Sequence, residues 1–464
     1  MHYLLSLPPN LVNHFHALTG HDDREWFCTS DPVGLRLGSG GGTVWLLKEG
    51  SSSGFVGGER RVLVHAGGYS RRIPAYAPSG KVLMPMPDGG TLLDRQVPLF
   101  ERIMRMAPEG LNTLVASGDV LISAPCVPPI PEADVVCFGM TESDALMQNH
   151  GVFVMRRDCP EVLDCMLQKP SVAKLAEMSG THCFLMDIGL WLLSDKAVER
   201  LTTLATDADG NIKFYDLYGA FGTGLGANPT MPEPLLADLS VKIVDLRDGR
   251  FLHYGTSREL LSSTAEQTGQ GRTFVFNSVA DATLADGAED IWIENSCVPA
   301  NWALTRRNII TGVPANEWRV HLAEGQCIDV VPVGETEYVL RPYGFNDKFS
   351  GGVDETTYLE QPMAEWMARR GITLSDLNCA DDIQSAALFP VVSDLAAMEQ
   401  LMQWFVGEPD AETTALWRNS RRMSANGLSD DANLPRLFCQ REEMRTKSLA
   451  DRLQATMLCS EQMG

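Results

Sequence analysis

The residue types best suited to chemistry follow one apolar, β-type run near the beginning of the sequence. That run leads into Gly67 and Gly68, then into Arg71 and Arg72, with Lys81 nine residues further on. Glycines let backbone N–H groups turn toward an anion because no Cβ stands in the way. Arginine can bridge phosphate oxygens, and lysine supplies a point charge. The segment therefore predicts a cradle for a triphosphate, and the alternative is a tight turn with surface arginines.

The net negative charge of the chain makes such a cluster of cations more significant. Its 464 residues include 38 Lys and Arg against 60 Asp and Glu, so the formal net charge is −22. A field of that sign repels nucleic acid and anionic membrane surfaces, which excludes nonspecific binding to a nucleic-acid polymer or a membrane. An anionic substrate has to be held by a local cationic pocket that works against this field.

Cysteine usage and hydropathy indicate a cytoplasmic protein. The 11 cysteines are scattered, and none shows the C-x-x-C spacing of a zinc or redox site, so reduced thiols are expected. Hydrophobic residues make up 44% and charged residues 21%, the balance of a soluble globular protein. The first apolar run is too short for a signal peptide, and none approaches the ~18 residues of a membrane span.

Strand-type runs alternate with helical patterns over the first half of the chain. The β-type runs are residues 61–66, 111–116, 134–138, 151–155 and 190–193, and the clearest helical patterns are 92–106 and 172–178. This alternation favours a mostly parallel sheet covered on both faces. Ligands of such sheets lie beyond the carboxyl ends of the strands, so we expect Gly67, Gly68 and Asp119 along one edge. The Gly-rich stretch 38–43 is predicted to be a loop.

The second half of the chain has a different texture. Short β-type runs with frequent Gly, Asn, Ser and Pro extend over residues 273–343, with a recurring apolar-x-Asn-Ser pattern. On this pattern alone, a parallel β-helix and a β-sandwich are equally favoured. From residue 361 onward the composition predicts helices.

The segment with the two arginines resembles the nucleotide-sugar pyrophosphorylase signature, a strand followed by A-G-G-x-G-T-R-L and then P-K. Arg72 takes the place of the signature arginine and Lys81 that of the signature lysine. Ser70 and Arg71 replace the usual Gly-Thr, which adds a cation to the loop.

Four further motifs of that superfamily follow in the same order. Asp119 resembles the strand-end aspartate that holds Mg²⁺, and Gly151 lies in a G-V segment like the one that touches the sugar. Lys169 resembles the phosphate-binding lysine of E-K-P, with glutamine in place of the glutamate. Asp187 and Gly189 lie in a segment like N-x-G-I-Y, with aspartate replacing asparagine. Each match is weak alone, but five in order are strong evidence.

A sixth match is imperfect. The segment with His253, Gly255 and Thr256 resembles W-x-D-x-G-T, whose aspartate is a second metal ligand, and His253 stands at that position. Mg²⁺ prefers oxygen ligands, so histidine is a poor replacement. His253 could instead contact sugar or phosphate, or be a loop histidine. The metal would then rely on the strand-end aspartate, phosphate oxygens and water, with Asp216 or Asp245 as further candidates.

Longer stretches narrow the resemblance to the fucose-1-phosphate guanylyltransferase family, over nearly the whole chain. They are residues 4–16, 26–47, 66–81, 184–194, 214–218, 253–260 and 341–347. The family implies a GT-A-like, Rossmann-like α/β nucleotidyltransferase domain, placed at 1–265, and a parallel β-helix domain at 266–360. A helical segment at 361–464 resembles the connector to the kinase half of bifunctional relatives. The implied reaction joins GTP and L-fucose 1-phosphate, with Mg²⁺, into GDP-L-fucose and pyrophosphate.

The resemblance also implies roles for individual residues. Arg72, Lys81 and Lys169 would be catalytic, and Asp119 would hold the metal. The nucleotide would be bound by Gly38, Ser39, Gly40, Gly41, Gly42, Gly67, Gly68 and Arg71. The sugar side would be formed by Gly151, Asp187, Gly189, His253, Gly255 and Thr256.

Several alternatives remain open at this point. A dinucleotide-dependent oxidoreductase is disfavoured because residues 38–42 do not form a clean G-x-G-x-x-G. A non-catalytic sugar-nucleotide binding or regulatory protein has His253 as its support. The sugar could differ from fucose, as in arabinose 1-phosphate, because one methyl group discriminates only ~10–200-fold. No kinase phosphate loop is found, so we expect a stand-alone transferase or the transferase half of a longer protein. The oligomeric state is left open.

Overall fold

The computed structural model describes residues 1–54, 60–66, 68, 70–378 and 382–462, without the side chains beyond residue 451. The chain forms two compact units, residues 1–68 with 90–253, and residues 69–89 with 254–464. Both mix helices and strands, so the predicted α/β class is confirmed at that level. Within the described residues, no helix is both long and apolar enough to cross a bilayer.

The first unit is built on a mixed sheet. Its strands are β1 (His2–Ser6), β2 (Trp26–Thr29), β3 (Arg61–His65), β4 (Leu111–Ser117), β5 (Val120–Ser123), β6 (Val135–Met140), β7 (Gly151–Arg156), β8 (Cys159–Gln168), β9 (His182–Ser194), β10 (Val241–Asp245) and β11 (Arg250–His253). Among the described residues the main sheet has the order β2-β1-β3-β4-β9-β6-β10-β8-β7, and β5 pairs with β11 separately. The predicted strands are therefore all present.

The prediction of a mostly parallel sheet is wrong. The pairs β1–β2, β1–β3, β3–β4 and β6–β10 are parallel, whereas β9 runs antiparallel to β4, β6 and β7. Strands β7 and β8 are separated by only two residues, and so short a turn can join only antiparallel neighbours. The β-type runs in the sequence did not show the direction of the strands, because side chains alternate with the same period in parallel and antiparallel strands.

The helices of the first unit connect these strands. They are α1 (Pro9–Val12), α2 (Phe15–Thr19), α3 (Gly38–Ser52), α4 (Leu92–Met106), α5 (Asp144–Met147), α6 (Val172–Met178) and α7 (Asp195–Ala205). The predicted bounds of α4 and α6 are confirmed. Thr91 and Asp94 form a capping box that begins α4 and satisfies its first N–H groups. Helix α4 joins β3 to β4 in parallel, which brings the carboxyl ends of these two strands side by side.

Beyond residues 69–89, the second unit continues with α8 (Ser257–Thr268) and then with short strands. These are β12 (Thr273–Phe276), β13 (Val279–Ala280), β14 (Thr283–Leu284), β15 (Ile291–Glu294), β16 (Cys297–Val298), β17 (Ala303–Leu304), β18 (Asn308–Thr311), β19 (Gln326–Val333) and β20 (Glu337–Gly344). Parallel pairing joins β12 to β15, β15 to β18 and β18 to β19, at offsets of 18, 17 and 18 residues. Strands β13 and β16, and β14 and β17, pair in parallel at the corners between them.

The recurring asparagines of this region have a backbone role. Asn277 and Asn295 follow β12 and β15 with φ of 47° and 51°, and Gly312 follows β18 with φ of 71°. Only glycine and, at some cost, asparagine adopt this left-handed conformation readily. At Gly312 a Cβ would lie 2.0 Å from the carbonyl oxygen of Val330, so no other residue fits there. The apolar-x-Asn-Ser pattern thus marks the sharp corners after β12 and β15, and Gly312 takes the corresponding place after β18.

The last part of the second unit is mainly helical. Its helices are α9 (Met363–Arg369), α10 (Leu395–Val406), α11 (Ala411–Asn419), α12 (Ala425–Asp431) and α13 (Leu434–Gln462). Short strands lie between them: β21 (Thr357–Tyr358), β22 (Gln361–Pro362), β23 (Phe389–Val392) and β24 (Arg422–Met423). Strand β23 pairs with β20 and β24, which the helical composition did not indicate.

Candidate functional site

Asp119 lies just beyond the paired carboxyl ends of β3 and β4. His65 is opposite Ser117 in that pairing, and Ser117 donates its hydroxyl to Asp119 Oδ1 at 2.7 Å. His253, the last residue of β11, places Nε2 3.7 Å from Asp119 Oδ2. The antiparallel pairing of β11 with β5 brings His253 opposite Val120 and therefore beside Asp119. The strand-end aspartate and the histidine of the imperfect sixth motif are thus neighbours in one cluster.

His150 extends this cluster. Its ring meets that of His253 edge-on at 6.3 Å between centroids, and that of Phe251 at 5.3 Å. The same residue accepts, through its carbonyl oxygen, the backbone N–H of Lys169 at 3.0 Å. The short turn before β7 and the end of β8 are therefore held together next to Asp119.

Lys169 occupies an unusual position at the end of β8. Its backbone is left-handed, with φ of 47°, and its side chain is exposed. Within the part of the chain that the structure describes, its ammonium group makes no ion pair. Non-glycine residues in this sparsely populated backbone region cluster at active sites and ligand-binding sites. The lysine is therefore available to an anionic ligand.

Asp187 and Gly189 lie in β9, across from the end of β4. Asp187 Oδ1 accepts hydrogen bonds from the N–H of Gly189 at 2.9 Å and the indole N–H of Trp191 at 3.0 Å. Gly189 has φ of 73°, and a Cβ there would lie 3.3 Å from Ser117 Cβ. Burial raises the pKa of the Asp187 carboxyl to about 6, although the two hydrogen bonds oppose the shift.

The variant Asp187→Asn is expected to gain stability over the parent as the pH rises from about 4 to about 6. Because the folded-state pKa is raised to about 6 from 3.8, the carboxyl contributes its full stability only below 3.8 and loses it as the pH rises through about 6. The difference between a pKa of 3.8 and one of about 6 corresponds to about 3 kcal/mol. Denaturant unfolding of both proteins at about pH 4 and about pH 7 measures this difference, and a difference independent of pH would contradict it.

Gly151 opens β7 beside Asp187. A Cβ on this residue would lie 3.3 Å from Asp187 Cβ and 2.6 Å from the Met166 methyl group. A side chain at this position would have to displace the Met166 methyl group, so glycine eases the close approach of β7 to its neighbours. The amide of Gln168 donates to the carbonyl oxygen of Tyr218 at 3.1 Å, so the glutamine of the Q-K-P motif holds backbone rather than ligand.

Tyr218 and His65 belong to this region but were not predicted. Burial, with Asp187 and Asp119 nearby, raises the pKa of the Tyr218 hydroxyl. His65 bonds the Thr43 hydroxyl through Nε2 at 2.9 Å, and burial lowers its pKa to about 4, which leaves the ring neutral near pH 7. In the sequence, Tyr218 is marked only by its position after an aspartate, and His65 only by its position at a strand end. Neither position distinguishes a site residue from a core residue.

The predicted loop at 38–43 is wrong, because α3 begins at Gly38. The glycines allow α3 to approach the chain near Tyr215. The carbonyl oxygen of Tyr215 accepts the N–H groups of Gly40 and Gly41 at 2.9 and 3.0 Å. A Cβ on Gly41 would lie 2.5 Å from the carbonyl oxygen of Lys213. Ser39 donates to Asp216 Oδ1 at 2.9 Å. Close packing therefore accounts for several of these residues without a ligand.

The predicted cations Arg71, Arg72 and Lys81 belong to the second unit. Arg71 Nη1 lies 3.2 Å from Asp382 Oδ2, so this guanidinium already has a carboxylate partner. Arg72 is exposed, and its carbonyl oxygen accepts the Ser257 N–H at 2.9 Å. Lys81 is half-buried at the start of the 3₁₀ turn Lys81–Leu83.

The remaining predicted residues have plain local roles or lie outside the described ones. Gly68 is exposed, and a Cβ there would meet nothing within 4 Å, whereas Gly67 lies outside the described residues. Thr256 begins α8, and its hydroxyl and the Gly255 N–H both donate to Glu259, at 3.0 and 3.2 Å. In this structure the Gly-Thr pair therefore caps a helix.

Asp119 offers one carboxylate of the kind that Mg²⁺ prefers, with a histidine rather than a second carboxylate beside it. In the part of the chain that the structure describes, no three His, Cys, Asp or Glu side chains gather as a metal cage. Mg²⁺ is commonly held by one or two carboxylates plus substrate phosphates and water, and Asp119 supplies such a carboxylate. Asp216 is already bonded to Ser39 and the Tyr218 N–H, and Asp245 pairs with Arg247 at 3.2 Å.

Comparisons with known proteins point to one family. Residues 59–227 match the fucose pyrophosphorylase domain model. The chain is 45% identical to the L-fucokinase/L-fucose-1-P guanylyltransferase of Bacteroides fragilis, over 96% of this chain and 51% of that protein. It is 25% identical to the bifunctional fucokinase/GDP-fucose pyrophosphorylase of Arabidopsis thaliana, over 88% and 48%.

A solved structure, described as a mannose-1-phosphate geranyltransferase from Thermus thermophilus, is 15% identical with a TM-score of 0.34, over 61% of this chain and 94% of that one. That score is too low to establish a shared fold. The chain spans about half the length of the two bifunctional relatives. The ordered motifs, the matched domain and the identity agree, and this chain is similar to proteins that are named for L-fucose-1-P guanylyltransferase activity.

Proposed function

We propose that this chain forms GDP-L-fucose and pyrophosphate from GTP and L-fucose 1-phosphate. The name of the Bacteroides relative carries two activities, a kinase and a guanylyltransferase. The observation that supports the second activity is the match of residues 59–227 to the fucose pyrophosphorylase domain, because this segment contains Asp119, Lys169 and Asp187. The proposal therefore assigns the transferase reaction, and not the kinase reaction, to this chain.

The reaction needs alignment and charge neutralisation rather than a covalent intermediate. The sugar phosphate attacks the α-phosphorus of GTP, a new P–O bond forms, and the bond to the β-phosphate oxygen breaks as pyrophosphate leaves in line. Two polyanions must approach, and one unopposed pair of like charges at ~4 Å costs about 4 kcal/mol at an effective dielectric near 20. Cationic side chains that face both reactants lower this cost.

Each cation has a proposed place in this step. Lys169 holds the attacking phosphate, and the exposure of its ammonium group supports that role. Arg72, with Arg71, stabilises the β- and γ-phosphates as they leave, and Lys81 neutralises charge at the α- or β-phosphate. Bound Mg²⁺ would add charge neutralisation at the nucleotide phosphates, with Asp119 as its protein ligand.

The backbone and the sugar side complete the proposal. The nucleotide would be bound by Gly38, Ser39, Gly40, Gly41, Gly42, Gly67 and Gly68. The sugar would be bound by Gly151, Asp187, Gly189, His253, Gly255 and Thr256. The support is the clustering of Gly151, Asp187, Gly189 and His253 near Asp119 in the first unit. Thr256 also caps α8, and Gly40 and Gly41 also donate their N–H groups to the carbonyl oxygen of Tyr215.

We also propose the finer fold assignment. The first unit would be a GT-A-like nucleotidyltransferase domain, and the coils of 17 or 18 residues from β12 to β19 support a parallel β-helix after it. The division at residues 265 and 360 belongs to this proposal, although residues 69–89 fall with the second unit. The absence of C-x-x-C spacing in the sequence supports a reducing, cytoplasmic location.

Pyrophosphate release tests the function directly. The purified chain is given GTP with L-fucose, arabinose, mannose or glucose 1-phosphate, and fucose 1-phosphate with each of the other nucleoside triphosphates. We expect release with GTP and fucose 1-phosphate, and weaker release with arabinose 1-phosphate. Binding of GDP-fucose without any release would indicate a binding or regulatory protein, and release with another sugar alone would reassign the substrate.

A further inference from the structure

The segment with the predicted phosphate-binding cations is fixed to the second unit by buried polar groups. Arg341 in β20 has only 2% of its surface exposed, and its guanidinium donates to the carbonyl oxygen of Pro74. The same guanidinium bonds Asp329 in β19, through Nε at 3.1 Å and through Nη2. Asp329 in turn accepts the Thr311 hydroxyl at 2.9 Å. Arg341 therefore joins the coils of the second unit to the backbone of the segment that carries Arg71, Arg72 and Lys81, here called the cation segment.

Two further contacts hold the same segment. The indole N–H of Trp292 donates to the Tyr76 hydroxyl at 2.8 Å, and both side chains are fully buried. The Ser257 N–H donates to the carbonyl oxygen of Arg72 at 2.9 Å. The backbone is thus tied at residue 72 and residue 74, and the side chain at residue 76. Proline restricts φ at residue 74, so little freedom is left between these ties.

A buried arginine at this place needs an explanation beyond stability. A guanidinium has five donors in a fixed fork, and here it divides them between a carboxylate and a main-chain oxygen. A pair of apolar residues could fill similar space without the cost of burying two charges. What apolar residues could not do is fix the direction of the Pro74 carbonyl, and with it the backbone two residues after Arg72.

We propose that Arg341 is a positioning residue of the transferase reaction, acting through the backbone of Pro74 on Arg72. The inference rests on the proposed function, because Arg72 is there the group that stabilises the departing pyrophosphate. A displacement of about 1 Å in a group that acts in the transition state can lower a rate by about a hundredfold. Arg341 itself touches no reacting atom in this assignment.

The test compares Arg341→Lys and Arg341→Met with Arg370→Lys and Arg370→Met. Arg370 is a matched control, since it is 4% exposed in the same unit and donates to the carbonyl oxygens of Trp404, Phe405 and Gly407. The measurements are kcat, the KM for each substrate, the thermal midpoint, and the rate at which trypsin cleaves after Arg71 and Arg72. The last measurement does not depend on activity.

Arg341→Met is expected to lower kcat about 10- to 100-fold, with the KM for fucose 1-phosphate unchanged, and to speed cleavage after Arg71 and Arg72. Arg341→Lys keeps the charge and should lie between Arg341→Met and the parent. The Arg370 variants should lose thermal stability to a similar degree without either effect. Kinetics and cleavage in the Arg341 variants that match those of the Arg370 variants would overturn the inference.

A second variant covers the case in which Arg341→Met fails to fold. Tyr76→Phe removes one buried hydroxyl and the hydrogen bond from Trp292, and faster cleavage after Arg72 in the folded variant would support the inference. Parent-like cleavage and kcat would count against it. If the parent released no pyrophosphate but the variants were still cleaved faster, the proposed function would fail while the anchoring of the segment would stand.

Discussion

Lys169→Ala is expected to lower kcat by about a hundredfold or more, the range found when a transition-state electrostatic contact is removed. The lysine directly follows β8 in a left-handed conformation with φ of 47°, and its N–H donates to the carbonyl oxygen of His150 at 3.0 Å. The backbone is therefore expected to stay in place when the side chain is shortened, so that the variant loses only the charge that we propose for binding the attacking phosphate. Steady-state pyrophosphate release at saturating GTP and varied fucose 1-phosphate measures the effect.

Lys174→Ala is the matched control for this variant. It removes a nearby exposed lysine that pairs with Glu177 at 3.3 Å within α6, so turnover should stay near that of the parent. Lys169→Arg keeps the charge and should retain more activity than Lys169→Ala. A folded Lys169→Ala protein with near-normal turnover would remove this residue from the mechanism.

Local structure was largely predictable because its signals are local. The strands at 61–65 and 111–117 and the helices α4 and α6 appear where apolar periodicity placed them. The strand-end position of Asp119 followed from the same reading, since the residues after parallel strands gather at one edge. That Asp119 and His253 lie close together was implied only by the resemblance of their motifs to the known signatures.

What the sequence did not indicate depends on contacts between distant residues. The stretch 38–43 was expected to form a loop, but it begins a helix, and the carbonyl oxygen of Tyr215, far along the chain, accepts the N–H groups of Gly40 and Gly41. The cation segment joins the second unit through the pairs Arg72–Ser257, Tyr76–Trp292 and Pro74–Arg341. These pairs are 185, 216 and 267 residues apart in the sequence. No periodicity or motif spacing reports such a pair.

Removal of divalent metal by EDTA is expected to abolish pyrophosphate release, and added Mg²⁺ to restore it. The first unit offers Asp119 with His253 3.7 Å away, and a histidine does not supply the oxygen that Mg²⁺ prefers. The ion would therefore depend on one carboxylate together with the phosphates of the nucleotide. Such a site holds little metal before GTP binds, so activity should rise steeply with Mg²⁺ in the presence of GTP.

Asp119→Asn tests whether the Mg²⁺ dependence is due to this carboxylate and not to another acidic group. The variant should require a higher Mg²⁺ concentration for half of its maximal rate, because a neutral amide binds Mg²⁺ more weakly than a carboxylate does. Asp245→Asn is the control, since Asp245 pairs with Arg247 at 3.2 Å, and its Mg²⁺ dependence should match that of the parent. Full activity in EDTA, or the same Mg²⁺ dependence in both variants, would mean that Asp119 has another role and that cationic side chains carry the charge neutralisation.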